Sequence, residues 1–392
     1  MIDTFQSDAD ELFESIVAFR RTLHRHPELS GEEHETARRV TERLRNLGFD
    51  DVQTGVNGTG VVATLTGGCP GPTVLLRADM DALPIQEDTG LDFASEAEGV
   101  MHACGHDVHT ASLLGTAAIL ARHRDEICGQ VRFCFQPHEE RLPGGAQGMI
   151  DAGVLDGVDA VFGQHVKPDL PAGTIGVRPG WAMASSDEVY VTVEGEGGHA
   201  AEPHELATDA TYVGSRIVDA FQSIISRHCP PDVPSILTIG RLIADGATNV
   251  IPETARLEGT FRAMDEDWRG RAHDLIRRVA VHTAQAHGAT ADVEIRTGYP
   301  ALRNHEAEAH LVADAAREYV GPDRALDVAR WFAGEDFAYF LQERPGAFYQ
   351  LGVGSEHGLH TAGLEVDEEA LRTSTGFMAY VAWRYGREHA AA

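Results

Sequence analysis

The chain has 392 residues, enough for two domains of ordinary size. Apolar residues make up 43% and charged residues 24%, a globular composition that excludes disorder, collagen-like repeats and coiled coil. Lys plus Arg is 32 against 61 Asp plus Glu, a net charge of −29, which excludes a general affinity for nucleic acid or an anionic membrane. Lys167 is the single lysine. The apolar runs fall well short of the ~20 residues of a membrane span, and MIDTFQSDAD lacks the basic and apolar regions of a signal peptide, so a cytoplasmic location is expected. Five cysteines (Cys69, Cys104, Cys128, Cys134, Cys229) without framework spacing argue against a disulfide scaffold.

Leu12, Ile16, Phe19 and Leu23 predict a helix that starts after Ser7 or Asp8 and ends before Pro27. Ala37, Val40, Leu44 and Leu47 predict a second, with Gly48 as its C-terminal stop. Short apolar runs at 60–65, 73–76, 131–135 and 160–163 read as strands, and the helical stretch 108–122 has the length of a crossover. This alternation predicts an α/β sheet. From about Ser186 the pattern changes: a strand around Val189–Val193, a helix from Leu206 to Ser226, a strand at 236–240, a helix over 268–287 and a strand at 291–296. The stretch reads as strand-helix-strand-strand-helix-strand, the order of a small α+β sandwich. The predicted organisation is an α/β domain with a mixed, mostly parallel sheet (1–185 plus 299–392), interrupted by a smaller inserted α+β domain (186–298).

In open α/β sheets ligands bind beyond the carboxyl ends of the strands. RADMD, with Asp79 and Asp81, follows the second run; QPHEE, with Glu139 and Glu140, follows the third. His165 follows the fourth, and His357 and His360 come after a strand at 347–353. HACGHDVH opens the crossover helix with His102, Cys104, His106, Asp107 and His109. A thiol, imidazoles and carboxylates converging on one rim are the ligands of borderline divalent metals. Each element also has an ordinary use, as a helix start capped by Asp107, a solvated acidic loop or a satisfied histidine; their convergence favours the metal. HExxH, the zinc deaminase pattern, GxSxG and the Walker loop are absent, which removes those mechanisms.

Over nearly its whole length the chain resembles the binuclear-metal amidohydrolases related to hippurate hydrolase, indole-3-acetyl amino acid hydrolase and N-acyl amino acid deacetylases, in the aminoacylase and carboxypeptidase G clan. The motifs are LHRHPELSGEE from Leu23, LRADMDALP from Leu76, MHACGHDVHTASLLG from Met101, QPHEERLPGGAQGMIDAGVL from Gln136, GQHV from Gly163 and GGHAAEPH from Gly197. TNVIPETARLEGTFR from Thr248, GEDFAYFLQERPGAFYQLG from Gly334 and LHTAGLEVDEEAL from Leu359 complete the set. The resemblance implies two divalent ions, Mn²⁺ or Zn²⁺, held by Cys104, His106, Glu140, His165 and His360, with Glu139 as general acid and base. It implies that His199 stabilises the oxyanion in the site of a partner subunit, and that Asn249 and Arg262 hold the substrate's carboxylate or nearby backbone. Asp81 and His109 correspond to groups that orient the ligands. His138 and Gln164 depart from the family pattern, and both are expected near the substrate.

The resemblance makes the α/β domain the metal-binding one and the inserted domain a lid and dimerisation domain. The function implied is metal-dependent cleavage of a small-molecule N-acyl amino acid (acetyl, benzoyl or indole-acetyl) to a carboxylic acid and a free amino acid, in a homodimer or higher homo-oligomer formed through that lid. The rivals are a dipeptidase on the same scaffold and a binding protein that has lost turnover.

Overall fold

The computed structural model describes residues 1–205 and 208–390. Helix α1 (Ile2–Arg25) starts at Ile2, earlier than the pattern predicts, because Phe5 and Ala9 extend the stripe of Phe13, Ile16 and Leu23 and are buried with it. Helix α2 (His34–Asn46) stops before Gly48, whose φ of +85° suits a residue without a Cβ. Strands β1 (Val52–Val56), β2 (Gly60–Thr66) and β3 (Cys69–Asp79) follow, then α3 (His106–Arg122), whose residues from His106 to Leu120 are all buried. Next come β4 (Cys128–Gln136), α4 (Ala146–Asp151), β5 (Ala160–Lys167) and β6 (Ile175–Val177).

The middle of the chain forms β7 (Gly180–Met183), β8 (Asp187–Glu194), β9 (Gly198–His199), α5 (Ala210–Ser223), β10 (Ser235–Ile243), β11 (Val250–Ile251), β12 (Thr254–Ala263), α6 (Glu266–Ala286) and β13 (Thr290–Thr297). Asp209 caps α5 by accepting the Thr211 and Tyr212 amides, so the helix begins after the predicted Leu206, which lies outside the described residues. The chain closes with β14 (Leu302–Asn304), α7 (Glu306–Tyr319), β15 (Ala325–Asp327), α8 (Phe337–Glu343), β16 (Gly346–Gly352) and α9 (Ala370–Glu388).

These elements fall into two units. The first comprises Met1–Gly180, Arg303–Ala329 and Asp336–Ala392 and holds an eight-stranded mixed sheet in the order β1-β2-β4-β3-β5-β16-β6-β15. Pairs β3/β4, β3/β5 and β5/β16 are parallel, so these four strands end on one rim. Helices α1, α3, α7 and α9 pack with them into one apolar core that includes Phe5, Leu76, Leu113, Phe162 and Phe377. A disulfide joins Cys69 to Cys128, in register where β3 and β4 begin, a single bond rather than the scaffold that the cysteine spacing argues against.

The second unit, Trp181–Leu302 with Arg330–Glu335, is an antiparallel sheet in the order β10-β12-β8-β13 covered by α5 and α6. Val189, Val191 and Val193 alternate inward from β8 against Val213, Phe221, Trp268 and Ile276. Segment 330–335 belongs here, whereas the sequence reading keeps it in the larger domain; Trp331 pairs with Met183, a non-local contact that no local pattern announces.

Candidate metal centre

The rim of the first unit gathers residues from five segments. Asp79 ends β3, and buried Asp81 lies two residues on; Glu139 and Glu140 follow β4; His165 lies near the end of β5; His360 follows β16. Cys104 and His106 arrive on the turn into α3. This turn depends on Gly105: its φ is +82°, and a Cβ there would sit 2.5 Å from Val166 Cγ2. Asp107 ties the helix start to α1 through an ion pair with Arg20 (2.7 Å) and a bond with His24 (2.8 Å).

Three overlapping trios bring their donor atoms within 4.8 Å of one another: Cys104, His106 and His165; Cys104, Glu140 and His360; and His106, Glu139 and Glu140. Cys104 Sγ lies 3.4 Å from His165 Nε2, and Glu140 Oε1 lies 3.3 Å from His360 Nε2 and 3.7 Å from His106 Nε2. Among the described residues His106 Nε2 and Glu140 Oε1 are buried atoms that make no hydrogen bond, an expensive arrangement that a bound cation would resolve.

The tautomers agree with that use. His106 donates from Nδ1 to Asp81 Oδ1 (3.2 Å), and His165 donates from Nδ1 to the Val166 carbonyl (2.8 Å), which leaves the Nε2 atom of each ring for the cluster. His109 is different. Its Nδ1 bonds to Asp79 (2.6 Å) and its Nε2 accepts the Val166 amide (2.9 Å), so it has no lone pair to offer and instead orients the strand that carries His165.

Electrostatics follow from burial and the crowd of acids. Burial disfavours the His106 imidazolium, but Asp79, Asp81 and Glu140 outweigh it and push the pKa up to about 10. Burial, then the charges of Glu140 and Glu139, push the Cys104 thiol well above its ordinary value. Burial and then His109 hold His165 well below its usual range. Burial opposes the Asp79 carboxylate, yet His106, Arg77 and His109 keep it well below the usual value.

Cys104, His106, His109, Glu139, Glu140, His165, His360 and Asp81 are therefore together in the first unit. His199, Asn249 and Arg262 lie in the second. Exposed His199 accepts the Ala201 amide at Nδ1 (3.1 Å), and the Ala200 amide donates to the Asn249 carbonyl. Arg262 is half-buried and donates to the Thr260 hydroxyl (2.7 Å) and the Phe261 carbonyl.

The expectation for Gln164 is corrected: alternation along β5 turns it away from His165, and it is buried with its amide donating to Ser374 Oγ of α9. His138 sits in the left-handed region, φ +63°, beside Gly31. Asp79 deserved assignment beside Asp81; its place at the end of an apolar strand, two residues from Asp81, was the available signal. Arg77, Gln136 and Asp336 were unassigned. Arg77 donates to Asp79 (2.6 Å), Asp336 (2.7 Å) and Gln136 (2.9 Å), a fully buried network behind the rim.

A set of one buried thiol, the buried imidazoles of His106 and His165, the exposed imidazole of His360 and nearby carboxylates, gathered at the carboxyl ends of parallel strands, defines a metal-centre protein of the open α/β class. Comparison with known proteins agrees. The model described as "Peptidase family M20/M25/M40" matches residues 75–384, and the chain belongs to that family. It is 41% identical over 367 residues to the N-acetyl-L-cysteine deacetylase of Bacillus subtilis, covering 94% of this chain and 87% of that protein. It is 43% identical over 297 residues to the N-acyl-L-amino acid amidohydrolase of Geobacillus stearothermophilus, covering 76% and 80%. Among solved structures it is similar to the Bacillus subtilis YXEP protein, titled a dinuclear metal binding peptidase, with a TM-score of 0.85, 36% identity and coverage of 96% and 99%.

Proposed function

We propose that this protein is a metal-dependent amidohydrolase that cleaves the amide of an N-acyl amino acid, releasing a carboxylic acid and a free amino acid. The observation that carries the proposal is the convergence of Cys104, His106, Glu140, His165 and His360, with His106 Nε2 and Glu140 Oε1 buried and without a hydrogen bond among the described residues, in a chain similar over most of its length to named N-acyl amino acid hydrolases. Those five residues would hold two divalent ions, Mn²⁺ or Zn²⁺. Bound there, such ions supply a Lewis acid for the carbonyl and a water acidified toward neutrality.

Glu139 removes a proton from the attacking water as its oxygen bonds to the acyl carbon, then gives that proton to the amine nitrogen as the C–N bond breaks. His199, with Nδ1 engaged by Ala201, carries its hydrogen on Nε2; it serves as oxyanion donor in the site of a second subunit, which makes a homodimer or higher oligomer part of the proposal. Arg262 makes no ion pair with a carboxylate among the described residues and, with Asn249, suits the substrate's carboxylate.

The larger unit is the catalytic domain and the smaller one the lid. No helix among the described residues is long and apolar enough to cross a membrane. A cytoplasmic location remains the working proposal, and the Cys69–Cys128 disulfide, a bond rare in reducing cytoplasm, weighs against it.

The test is free-amine release from N-acetyl, N-benzoyl and indole-acetyl amino acids and from dipeptides, with Mn²⁺- or Zn²⁺-loaded protein and a chelated control. Chelator-sensitive release from one acyl class supports the proposal. Release from dipeptides alone replaces it with a peptidase, and silence with metal bound replaces it with a binding role.

A further inference from the structure

We propose that Glu33 is a positioning residue for turnover, clamping the segment that carries Glu139. The proposal rests on the assignment of Glu139 as general base. Glu33 belongs to the LSGEE segment before α2, a motif the metal cluster does not use, and is fully buried. Its carboxylate serves other parts of the chain. Oε1 accepts the amides of Gly31 (2.8 Å) and His138 (2.9 Å), and Oε2 accepts the Thr59 hydroxyl.

Asp81 makes the matching contact on the other side of Glu139. Its Oδ2 accepts the Glu140 amide (2.9 Å) and the Ser30 hydroxyl (2.6 Å), while its Oδ1 accepts from His106. The amides of residues 138 and 140 are thus both held by buried carboxylates, and Glu139 is fixed between them. His138 has a left-handed conformation that a residue with a Cβ resists, and the hydrogen bond its N–H donates to Glu33 Oε1 holds the chain there. Ser30 and Glu33 come from one short loop, so the same loop sets Asp81 and His138. A base displaced by about 1 Å loses roughly 10²-fold in rate, which is why such a clamp is useful.

The experiment compares Glu33→Ala, Glu33→Gln and Glu139→Gln with wild type, as full-length Mn²⁺-loaded protein. The readouts are metal content, kcat and KM on N-acetyl-L-cysteine or N-benzoylglycine, whichever wild type turns over faster, and hydrogen exchange of the peptide spanning 137–141. Glu33→Ala is expected to keep its metal and its KM, to lose about 10²-fold in kcat and to exchange the 138 and 140 amides faster, with the first turn of α3 unchanged. Glu33→Gln keeps Oε1 as an acceptor and is expected to recover kcat to within about tenfold of wild type.

Should the alanine variant not fold, Glu33→Asp, which draws the acceptor back by one carbon, gives the same kcat-only loss on a smaller scale. Wild-type kcat in Glu33→Ala with an inactive Glu139→Gln overturns the clamp alone, as does kcat falling only in step with metal content or a folded glutamine variant that fails to recover. A fully active Glu139→Gln overturns the base assignment and the clamp with it.

Discussion

Glutamine in place of Glu139 keeps the size of the side chain and removes its ability to take a proton. Glu139→Gln is therefore expected to bind metal like wild type and to lose about 10²- to 10⁴-fold in kcat, read by metal analysis beside steady-state rates; normal turnover would sink the mechanism. Cys104→Ala and His106→Ala remove donor atoms of a shared cluster and are expected to lose metal as well as activity. Gly105→Ala touches no donor, yet it forces a Cβ into a left-handed position and against Val166, beside His165. It should cost about 1–2 kcal/mol from the backbone alone and abolish metal binding, measured by denaturant titration and metal content; a fully loaded variant would show that the turn into α3 tolerates movement. Residue identities at strand ends were the most legible part of the molecule, because Asp79, Glu139 and His165 each follow an apolar run and needed no long-range knowledge. The role of Glu33 was illegible for the opposite reason: its partner His138 lies 105 positions away in the chain.

Among the elements, β3 and β4 are joined where they begin by a disulfide between cysteines 59 positions apart. Closing a loop of that length stabilises by about 4 kcal/mol on the chain-entropy model. The Cys69→Ser, Cys128→Ser protein should unfold earlier in urea by roughly that margin. Thiol titration of unreduced, denatured wild type should find three thiols, Cys104, Cys134 and Cys229; five would refute the pairing.

At the head of β8, Asp187 is buried and bonded to Arg269 (2.5 and 2.9 Å) and His273 (2.8 Å). Burial raises its pKa, but Arg269 and then His273 bring the carboxyl down to about 2. The unfolded carboxyl titrates near 4, so the group stabilises the second unit by about 2 kcal/mol above that pH, and this is lost as pH falls from about 4 toward 2. The urea midpoints of wild type and Asp187→Asn should differ clearly at pH 6 and draw steadily closer as pH falls from about 4 toward 2; a constant gap would exclude this linkage. Helices and buried strands were readable from their apolar period. Strand β1 was not, since its middle residues are exposed and polar, and the disulfide was not, since strand register brings its two halves together.

At the scale of the whole molecule, a net charge of −29 pushes the folded chain apart, and salt shortens the range of that repulsion from about 10 Å at 0.1 M to about 3 Å at 1 M. The melting temperature is expected to rise with NaCl over that interval at neutral pH; a flat or falling curve would mean that surface ion pairs such as Arg21–Glu368 and Arg38–Glu42, which salt weakens, dominate instead. Of the three non-glycine residues with left-handed backbone among the described residues, His360 belongs to the metal cluster and His138 directly precedes Glu139. A screen that selects only for heat resistance would be drawn to glycine at both positions, where relief of strain comes at once. The variants that survive such a screen would be sturdier and chemically poorer, so laboratory evolution of this protein needs turnover in every round of selection.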